Sequence, residues 1–487
     1  MGTGQQAVEE PTQDDTGQND DVERTASTTP VFSKWQKRWI SLIASFASMF
    51  STLSSFVYMP ALTPIANALN VSLTLMNLTV TSYMVVAGIA PAFMGDIADQ
   101  SGRKPVYILL FILMLGANLG MANVKQWSVL LVLRMVLSAG ASGTVGAAYG
   151  VIADITTVGE RGSFIGTIFL FTTMAPTLGP VLGGILTARL GWRWIFWFLS
   201  ILTGVTLLIL ILFLPETQRR IVADRRRSGR GIYWSLWSPR IHGGQNSSQG
   251  SDNQDSNTRT CRMPNPLTCL SVLAHKGSLC TIMIGALAYV SFMTLQTSLA
   301  SMAIELYDLN YLQAGLIYLP AGVSAAVSAK LTGKFIDWNF RRAHRRFGVE
   351  DTSIRHLHEI EGFPIEETRL QGAYVVTVLS AVATAGYGLH ISAMLVTQVL
   401  AGATGAALFT MMATLLTDYN VHRSATAQAA SNLVRCLGAG AGTASFSPLV
   451  DAIGPGWTFG IYAILVLFQL PLIWGLKANG VAWRKSG

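Results

Sequence analysis

A short polar turn, GDIADQSGRK at residues 95–104, separates two long apolar runs and decides how the rest of the chain is interpreted. A related turn, GKFID, begins at residue 333, which is 238 residues after the start of the first turn. It is followed by the basic pair Arg341-Arg342. Both copies place a glycine four residues before an aspartate, as Gly95 and Asp99 in the first. Glycine permits a close backbone approach that a side chain would block. The repeated pattern indicates two related halves.

Two further matches follow in the same order. AGASG at residues 139–143 is matched by AGATG at residues 401–405, an offset of 262. The apolar runs that contain them each end on an acid, Asp154 or Asp418, an offset of 264. The offset grows because the loop after the second GxxxD turn is longer, and we predict that this loop is basic and partly helical. Three ordered matches indicate duplication, and two six-helix halves around a midplane site are the architecture of an alternating-access transporter.

The composition fits a membrane protein. Of 487 residues, 51% are hydrophobic and only 12% are charged, whereas soluble proteins have about 25% charged residues. A membrane-spanning helix needs about 20 mostly apolar residues. We predict an all-α polytopic membrane protein with twelve transmembrane helices in two pseudo-symmetric six-helix halves. The predicted spans are about 40–62, 73–96, 105–124, 127–152, 163–187, 193–214, 278–300, 311–335, 370–389, 391–417, 426–450 and 456–476.

The domain organisation follows from these spans. We predict a disordered cytosolic tail at 1–38, a six-helix bundle at 39–215, a flexible cytosolic linker at 216–275, a second bundle at 276–477 and a cytosolic tail at 478–487.

Orientation follows from the basic residues, which are enriched in cytosolic loops of membrane proteins. With the N-terminus inside, the outer loops hold only Lys125, Arg189 and Arg193 of 34 Lys and Arg residues. Both termini are therefore predicted to be cytosolic. The net charge of +8 is explained by these loops, and we expect no nucleic-acid partner.

The motifs together resemble those of the major facilitator superfamily. Residues 95–104 resemble its loop 2–3 signature, although Gln100 stands where the signature has a basic residue. Arg134 stands where the span 4 signature has its arginine, while Leu137 and Ser138 depart from that signature.

Later segments narrow the resemblance. Gly166 and the run GPVLGG at residues 179–184 resemble the span 5 signature found mainly in exporters. The segments at 363–366, 424–426 and 432–436 resemble the twelve-span fungal drug:proton antiporter family, in its quinidine-resistance and citrate-exporter branch. The resemblance implies a plasma-membrane exporter and an antiport mechanism.

The repeated turns also predict a gate. Asp99, at the cytosolic end of span 2, can accept hydrogen bonds from a helix N-terminus of the other half and pair with Arg103. Such a contact would close the cytosolic side. The span 5 glycines permit close helix approach, and the resemblance places this packing near the interface of the halves. The predicted gating residues are Gly95, Asp99, Gly102, Arg103, Asp154, Gly179, Pro180, Gly183, Gly184, Gly333 and Asp337.

Charged residues inside spans indicate the substrate. Charge at membrane depth is costly and usually faces the protein interior or a water-filled cavity. Arg134 and Arg435 lie deep in predicted spans, whereas no Asp, Glu or His does. Because guanidinium binds carboxylate bidentately, we expect an anionic small-molecule substrate; alternatively, both arginines bond backbone carbonyls in a structural role. Further candidates for the cavity wall are Tyr58, Asn77 and Tyr83, and the predicted substrate-binding residues are Arg134, Arg435, Gln296, Asn432, Tyr289 and Tyr318.

The mechanism of coupling stays open at this level. Coupling to protons needs a titrating group in the pathway, and only acids near the cytosolic mouth, such as Asp99 or Asp154, are available. Exit of an anion driven by the membrane potential is the alternative. We expect no cofactor, no metal site and no enzymatic activity, membrane lipid as the surroundings, and a monomer as the working unit.

Three functions remain. The leading hypothesis is an exporter of organic acids. The first alternative is a broad-specificity multidrug:proton antiporter. The second is a transporter-like nutrient sensor, although such sensors usually carry a long structured cytosolic tail.

Overall fold

The computed structural model describes residues 33–218, 235, 268–307, 316, 318–346, 363–387 and 391–485. Within these ranges all regular secondary structure is helical. Most of the predicted N-terminal tail, most of the predicted linker and part of the loop after span 8 lie outside the described residues. The last residues of the predicted tail are described and are helical from Lys34. The side chain of Asn77 also lies outside them.

Six long helices form the first half. They are α1 (Lys34–Phe56), α2 (Leu73–Ser101), α3 (Arg103–Ala122), α4 (Trp127–Ile155), α5 (Arg161–Leu190) and α6 (Arg193–Phe213). A 3₁₀ turn at Met59–Ala61 and a short helix at Leu62–Leu69 connect α1 to α2.

The second half repeats this arrangement. Its helices are α7 (Lys276–Tyr307), α8 (Tyr318–Arg346), α9 (Ala373–Gly386), α10 (Ile391–Tyr419), α11 (Ser424–Leu467) and α12 (Gln469–Lys485). Shorter helices occupy Thr268–Ala274, Ile365–Arg369 and, as a 3₁₀ turn, Val421–Arg423. The helix α11 holds the predicted span 426–450 and the first part of the span 456–476, which continues into α12. Between these two spans Gly454 interrupts α11 with φ of 80°, a left-handed conformation that glycine adopts without steric penalty.

The twelve-helix fold is confirmed, although the helices differ in how apolar they are. Within the described ranges, nine helical segments are long and apolar enough to cross a membrane, and the 14-residue α9 is a shorter apolar helix. The helix α8 and the first part of α11 are more polar than the others. Both pack against the opposite half, and polar residues inside a membrane are tolerated where protein covers them.

Two helix pairs make the most extensive contacts between the halves: α5 with α8, and α2 with α11. A Cβ atom on Gly166 would lie 2.5 Å from the carbonyl oxygen of Ala329, and one on Gly95 would lie 3.1 Å from that of Ala425. A side chain on Gly166 would therefore collide with α8, and one on Gly95 would be tightly packed against α11. Lys330 of α8 also donates a hydrogen bond to the Thr167 hydroxyl of α5 at 2.6 Å.

The glycines of the exporter-like run at 179–184 make a different contact from the one expected. Gly179 and Gly183 pack against Phe56 and Val57 at the end of α1, within the same half, and nothing lies within 4 Å of a Cβ on Gly184. The expectation that this run packs at the interface of the halves is therefore wrong. The glycine of α5 that packs against the other half is Gly166, nearer the start of the helix.

Both ends of the predicted linker pack against the bundle. The carboxylate of Glu216 accepts hydrogen bonds from the backbone N–H groups of Arg103 at 3.0 Å and Lys104 at 3.2 Å, at the start of α3. The helix Thr268–Ala274 contacts α2 and α11, with Cys269 buried against them. Burial raises the pKa of the Cys269 thiol, which keeps this side chain neutral in its apolar surroundings.

Candidate transport site

A central cavity of about 210 Å³ lies between the halves. Its walls come from α1, α2, α4 and α5 on one side and from α7, α8, α10 and α11 on the other. Sites for drug-sized ligands typically measure about 300–1,000 Å³. In this conformation the cavity is suited to a small solute.

Arg435 is the charged side chain among the described residues that line the cavity. Its guanidinium lies over the ring of Tyr289, 4.5 Å from the centroid, and its Nη2 donates a hydrogen bond to Oδ1 of Asn432 at 2.9 Å. Asn432 in turn donates from Nδ2 to the carbonyl oxygen of Ala87 on α2, at 3.0 Å. Arg435 is thus held by the face of Tyr289 and by Asn432, which in turn is bonded to the other half. Its buried Nε has no hydrogen-bond partner within the described part of the chain.

The other polar groups of the wall are neutral. Gln296 lines the cavity and its Oε1 accepts a hydrogen bond from Nε2 of Gln398 at 3.0 Å. The neutral polar side chains of the wall are Ser51, Thr52, Ser55, Tyr83, Ser142, Tyr149, Thr172, Thr173, Thr177, Thr281, Tyr289, Gln296, Gln428, Ser431 and Asn432. Hydroxyl and amide groups can donate hydrogen bonds to anionic oxygens and accept them from hydroxyl substituents.

Two of the predicted substrate-binding residues lie elsewhere. Arg134 is fully buried behind Tyr83, with its guanidinium 4.0 Å from the ring centroid of Tyr58 and 4.4 Å from that of Tyr83, and it donates to the Ser54 carbonyl at 3.1 Å. It is therefore not part of the cavity lining. Tyr318 donates to the Gln296 carbonyl at 2.8 Å and is also outside the lining. Arg435, Asn432, Tyr289 and Gln296 are the predicted residues that the structure brings together.

An aromatic cluster crosses the wall of the cavity. Phe169 of α5 and Phe409 of α10 stack across the interface of the halves, with centroids 6.0 Å apart and an interplanar angle of 15°. Tyr289 and Phe292 pack edge-on against Phe409, and Tyr149 packs against Phe169. Because the stacked rings belong to different halves, separation of the halves at this level must break the stack.

Polar contacts join the two halves at the end of the molecule that holds Asp99 and Asp337, which we call the clasp end. Oδ2 of Asp99 accepts hydrogen bonds from the backbone N–H of Thr426 at 3.0 Å and from its hydroxyl at 2.6 Å, near the N-terminus of α11. Oδ1 of Asp99 accepts from Nη1 of Arg103 at 2.5 Å, and Nε of Arg103 donates to Asp154 at 3.0 Å. A carboxylate at a helix N-terminus is favourable because the first backbone N–H groups lack intrahelical partners.

The second half repeats this arrangement, with its aspartate at the N-terminus of a helix of the first half. Asp337 accepts hydrogen bonds from the backbone N–H groups of Gly162 and Ser163, both at 2.8 Å, at the N-terminus of α5. Nε of Arg369 donates to Asp418 at 2.8 Å, and Nη1 of Arg369 lies 3.8 Å from Asp337. Asp337 and Asp418 therefore occupy the positions that Asp99 and Asp154 occupy in the first half.

The counterpart of Arg103 is Arg369, and not the Arg341-Arg342 pair expected from the sequence. Arg369 follows Arg103 by 266 residues, close to the offset of 264 between Asp154 and Asp418. The extra chain therefore lies between Asp337 and Arg369, and Arg341 and Arg342 belong to the exposed extension of α8.

Among the described residues, one contact of the clasp has no equivalent in the first half. Arg161, the first residue of α5, donates a hydrogen bond to Asp418 of α10, and both side chains are fully buried. Arg369 also reaches across the interface, where its Nη2 donates to the Val158 carbonyl at 2.5 Å.

The remaining predicted gating residues shape the backbone. Gly102 has φ of 103° where α2 gives way to α3, a conformation that non-glycine residues rarely adopt. Pro180 lies inside α5. A Cβ on Gly333 would collide with the carbonyl of Gly162, so Gly333 lets α8 approach α5 next to Asp337. The gating role of all these residues stays a prediction.

Two pseudo-symmetric helical halves, a cavity between them and contacts that close one end define a membrane transporter. The model of the Major Facilitator Superfamily matches residues 44–349. The chain belongs to this superfamily.

Relatives over nearly the full chain agree with this assignment. The "MFS-type transporter phiD" of a fungal species (strain ATCC 74256) is 37% identical over 94% of this chain and 70% of its own length. "Citrate exporter 1" of Aspergillus niger is 34% identical over 94% of this chain and 88% of its own length. The crystal structure of the human organic anion transporter MFSD10 matches 90% of this chain and 99% of its own, with a TM-score of 0.65 at 16% identity. That last likeness shows the fold alone.

Several site residues were missed from the sequence. Arg161 and Arg369 read there as ordinary loop cations, and Phe169 and Phe409 as apolar span residues. The offset of 266 between Arg103 and Arg369 was a usable signal for one of them. Nothing in the local sequence distinguishes the two phenylalanines from their neighbours.

Proposed function

We propose that this protein exports small organic acids by alternating access of the central cavity. The observation that carries the proposal is Arg435, the charged side chain among the described lining residues, in a wall of neutral hydroxyl and amide groups. A single guanidinium with free donor capacity favours one carboxylate, because its planar fork pairs with two carboxylate oxygens.

The environment of Arg435 strengthens this preference. Within the described lining the cavity has no carboxylate, so a lipophilic cation would find no counter-charge there. Nε of Arg435 is buried without a hydrogen-bond partner among the described residues, and an unpaired buried donor costs about 1–3 kcal/mol. An anionic substrate at the guanidinium offsets part of that cost through its opposite charge.

The size of the cavity and one relative support the same substrate class. A volume of about 210 Å³ is below the range of about 300–1,000 Å³ for drug-sized ligands. The name of the relative "Citrate exporter 1" agrees with a small polycarboxylate.

The transport cycle follows from the contacts at the clasp end. In this conformation Asp99 and Asp337 bind helix N-termini of the opposite halves, so the cavity is closed there. Access from that end requires these bonds, the Arg161–Asp418 pair and the Phe169–Phe409 stack to break together.

Placement in the cell is part of the proposal. Because Lys and Arg concentrate on the loops of the clasp end, we propose that this end and both termini face the cytosol. We place the protein in the plasma membrane as a monomer. Either the proton gradient or the membrane potential drives export. The described cavity wall holds no titratable carboxylate or histidine, so coupling to protons would need an acid near the clasp end, such as Asp99 or Asp154.

A second candidate is a multidrug:proton antiporter. Three methionines, Met84, Met293 and Met412, and the aromatic cluster contribute to the cavity wall. Flexible methionine side chains adapt to ligands of different shape, which favours broad specificity if the cavity widens during the cycle.

The test is export from cells that express the protein, measured with a panel of labelled carboxylic acids and lipophilic cations. Our proposal predicts faster exit of acids than in cells without the protein, and no change for cations. Faster exit of cations alone would support the multidrug alternative instead.

A further inference from the structure

A polar groove of about 320 Å³ lies away from the transport cavity, at the clasp end of the second half. It is formed by the last turns of α8, the segment around the short helix Ile365–Arg369, and α12. Among the described residues, three cations line it, Arg342, Arg346 and Lys477, against one carboxylate, Glu367. The groove therefore carries a net positive charge.

A buried amide points to a ligand in this groove. Asn339 lines it, is only 3% exposed, and both side-chain atoms of its amide lack a hydrogen-bond partner within the described part of the chain. Buried polar groups are normally paired, and an exception calls for an unseen partner. An anionic oxygen bound by the arginines can accept from the amide nitrogen, and a ligand hydroxyl can donate to the amide oxygen.

The groove lies at the level expected for lipid headgroups. On α8, the exposed Trp338 precedes Arg342 by one turn, and the guanidinium of Arg342 lies 5.3 Å from the centroid of the Trp338 ring. On α12, the exposed Trp474 precedes Lys477 by three residues. Tryptophan is enriched at the boundary between the apolar core and the headgroups, and both helices run past that boundary before they supply the groove's cations.

We propose that this groove binds the phosphate-bearing headgroup of an anionic membrane lipid. Arg342 and Arg346 bind the phosphate oxygens, Lys477 adds a further charge, and Asn339 bonds the headgroup from beneath. Basic pockets between transmembrane helices recognise such headgroups. The ligand bridges α8, which carries the clasp residue Asp337, to α12, so it stabilises the second half next to the clasp.

The groove offers a matched control on the same helix. Arg341 and Arg345 are also exposed near the end of α8 but do not line the groove. The double variants Arg342→Ala/Arg346→Ala and Arg341→Ala/Arg345→Ala lose the same charge from the same helix. General attraction to an anionic surface is reduced equally in both, whereas a defined site is lost in only one.

The experiment titrates the full chain, in phosphatidylcholine nanodiscs, with short-chain phosphatidylinositol 4-phosphate or with inorganic phosphate. We expect Arg342→Ala/Arg346→Ala to raise the dissociation constant for the lipid about 30-fold, from about a factor of five per cation. We expect Arg341→Ala/Arg345→Ala to change it by less than about 3-fold. Asn339→Leu, with a melting temperature close to that of the unmodified chain, should also weaken binding.

Two results would overturn the assignment. Equal weakening in both double variants means diffuse attraction without a site. Inorganic phosphate that binds as tightly as the lipid means that the headgroup is not what the groove selects.

Discussion

Arg161 of α5 and Asp418 of α10 form a fully buried ion pair between the two halves of the molecule. Asp418 is shared, because Arg369 donates to its other oxygen at 2.8 Å. Burying charge is costly, and the pair compensates that cost only while both partners are present. The contact therefore stabilises the closed clasp end specifically, since separating the halves there breaks it.

Replacing the shared carboxylate should open the clasp end. Asp418→Asn keeps the shape but leaves Arg161 without its counter-charge and Arg369 with only Asp337, at 3.8 Å, which costs the closed conformation about 3–5 kcal/mol. Such a difference is enough to move a two-state equilibrium from mostly closed to mostly open. Spin labels on the exposed residues Gln100 and Arg341, one in each half, should show a longer distance.

Asp154→Asn is the matched control for this change. Asp154 occupies the same position in the first half but pairs with Arg103 of its own half. Its substitution should lengthen the label distance less than Asp418→Asn does. If the two variants open the clasp end equally, the cross-half pair has no special role.

The interface glycine Gly166 should tolerate no side chain. In Gly166→Ala the new Cβ would lie 2.5 Å from the Ala329 carbonyl oxygen, and overpacking of this kind costs about 1–3 kcal/mol. We expect a lower melting temperature and slower transport. Gly184→Ala on the same helix meets nothing within 4 Å and should match the unmodified protein; a loss there as large as in Gly166→Ala would contradict the packing argument.

The Phe169–Phe409 stack should limit access to the cavity from the clasp end. The free thiol of Cys436 lines the cavity and can report access in a variant whose other cysteines are serine. Phe409→Ala removes the stack across the interface, worth about 0.5–1.5 kcal/mol. A membrane-impermeant thiol reagent applied from the clasp side should then label Cys436 about 2–10 times faster.

Phe292→Ala provides the comparison for labelling. Phe292 also lines the cavity, but it packs against Phe409 within one half. In Phe292→Ala, the rate at which Cys436 is labelled should stay near that of the parent variant, in which the other cysteines are serine. Equal acceleration in both variants would mean that cavity width, and not the stack, controls access.

Arg134 should prove dispensable for substrate affinity. It is buried behind Tyr83 and outside the cavity wall, and buried charges can often be replaced by apolar residues of similar volume with little loss of stability. Arg134→Met should therefore leave the KM for exported acids within about 2-fold, because it removes no group that faces the cavity. A KM raised tenfold or more at unchanged melting temperature would place Arg134 in the substrate path.

The sequence predicts the architecture well because spans and repeats are periodic signals. Twelve apolar runs, and the turn that recurs as Gly95-x3-Asp99 and Gly333-x3-Asp337, were enough for the fold. Arg435 was found because a charge at membrane depth is rare. Its partners Asn432, three residues earlier on the same span, and Tyr289, on another span, were predicted only as polar candidates for the cavity wall.

What the sequence could not predict depends on rotation of helices and on inserted chain. Arg134 and Arg435 look alike in sequence, yet one faces a tyrosine pair inside its half and the other faces the cavity. Arg369 was hidden by the insertion between it and Asp337, so the nearer Arg341-Arg342 pair seemed its equivalent. Gly179 and Gly183 pack against α1 because α5 turns that face inward, which a list of glycines does not reveal.

We propose that Arg435 binds the carboxylate of an exported acid. The experiment compares the binding of labelled citrate to the purified unmodified protein and to the purified Arg435→Gln variant. Loss of a charge-assisted hydrogen bond costs about 1.5–3 kcal/mol, so the dissociation constant should rise about 10- to 150-fold. Arg435→Lys should give an intermediate value, because it keeps the charge and loses the fork. Arg134→Met is the comparison variant. If a folded Arg435→Gln protein binds citrate as tightly as the unmodified protein does, Arg435 does not bind the substrate carboxylate.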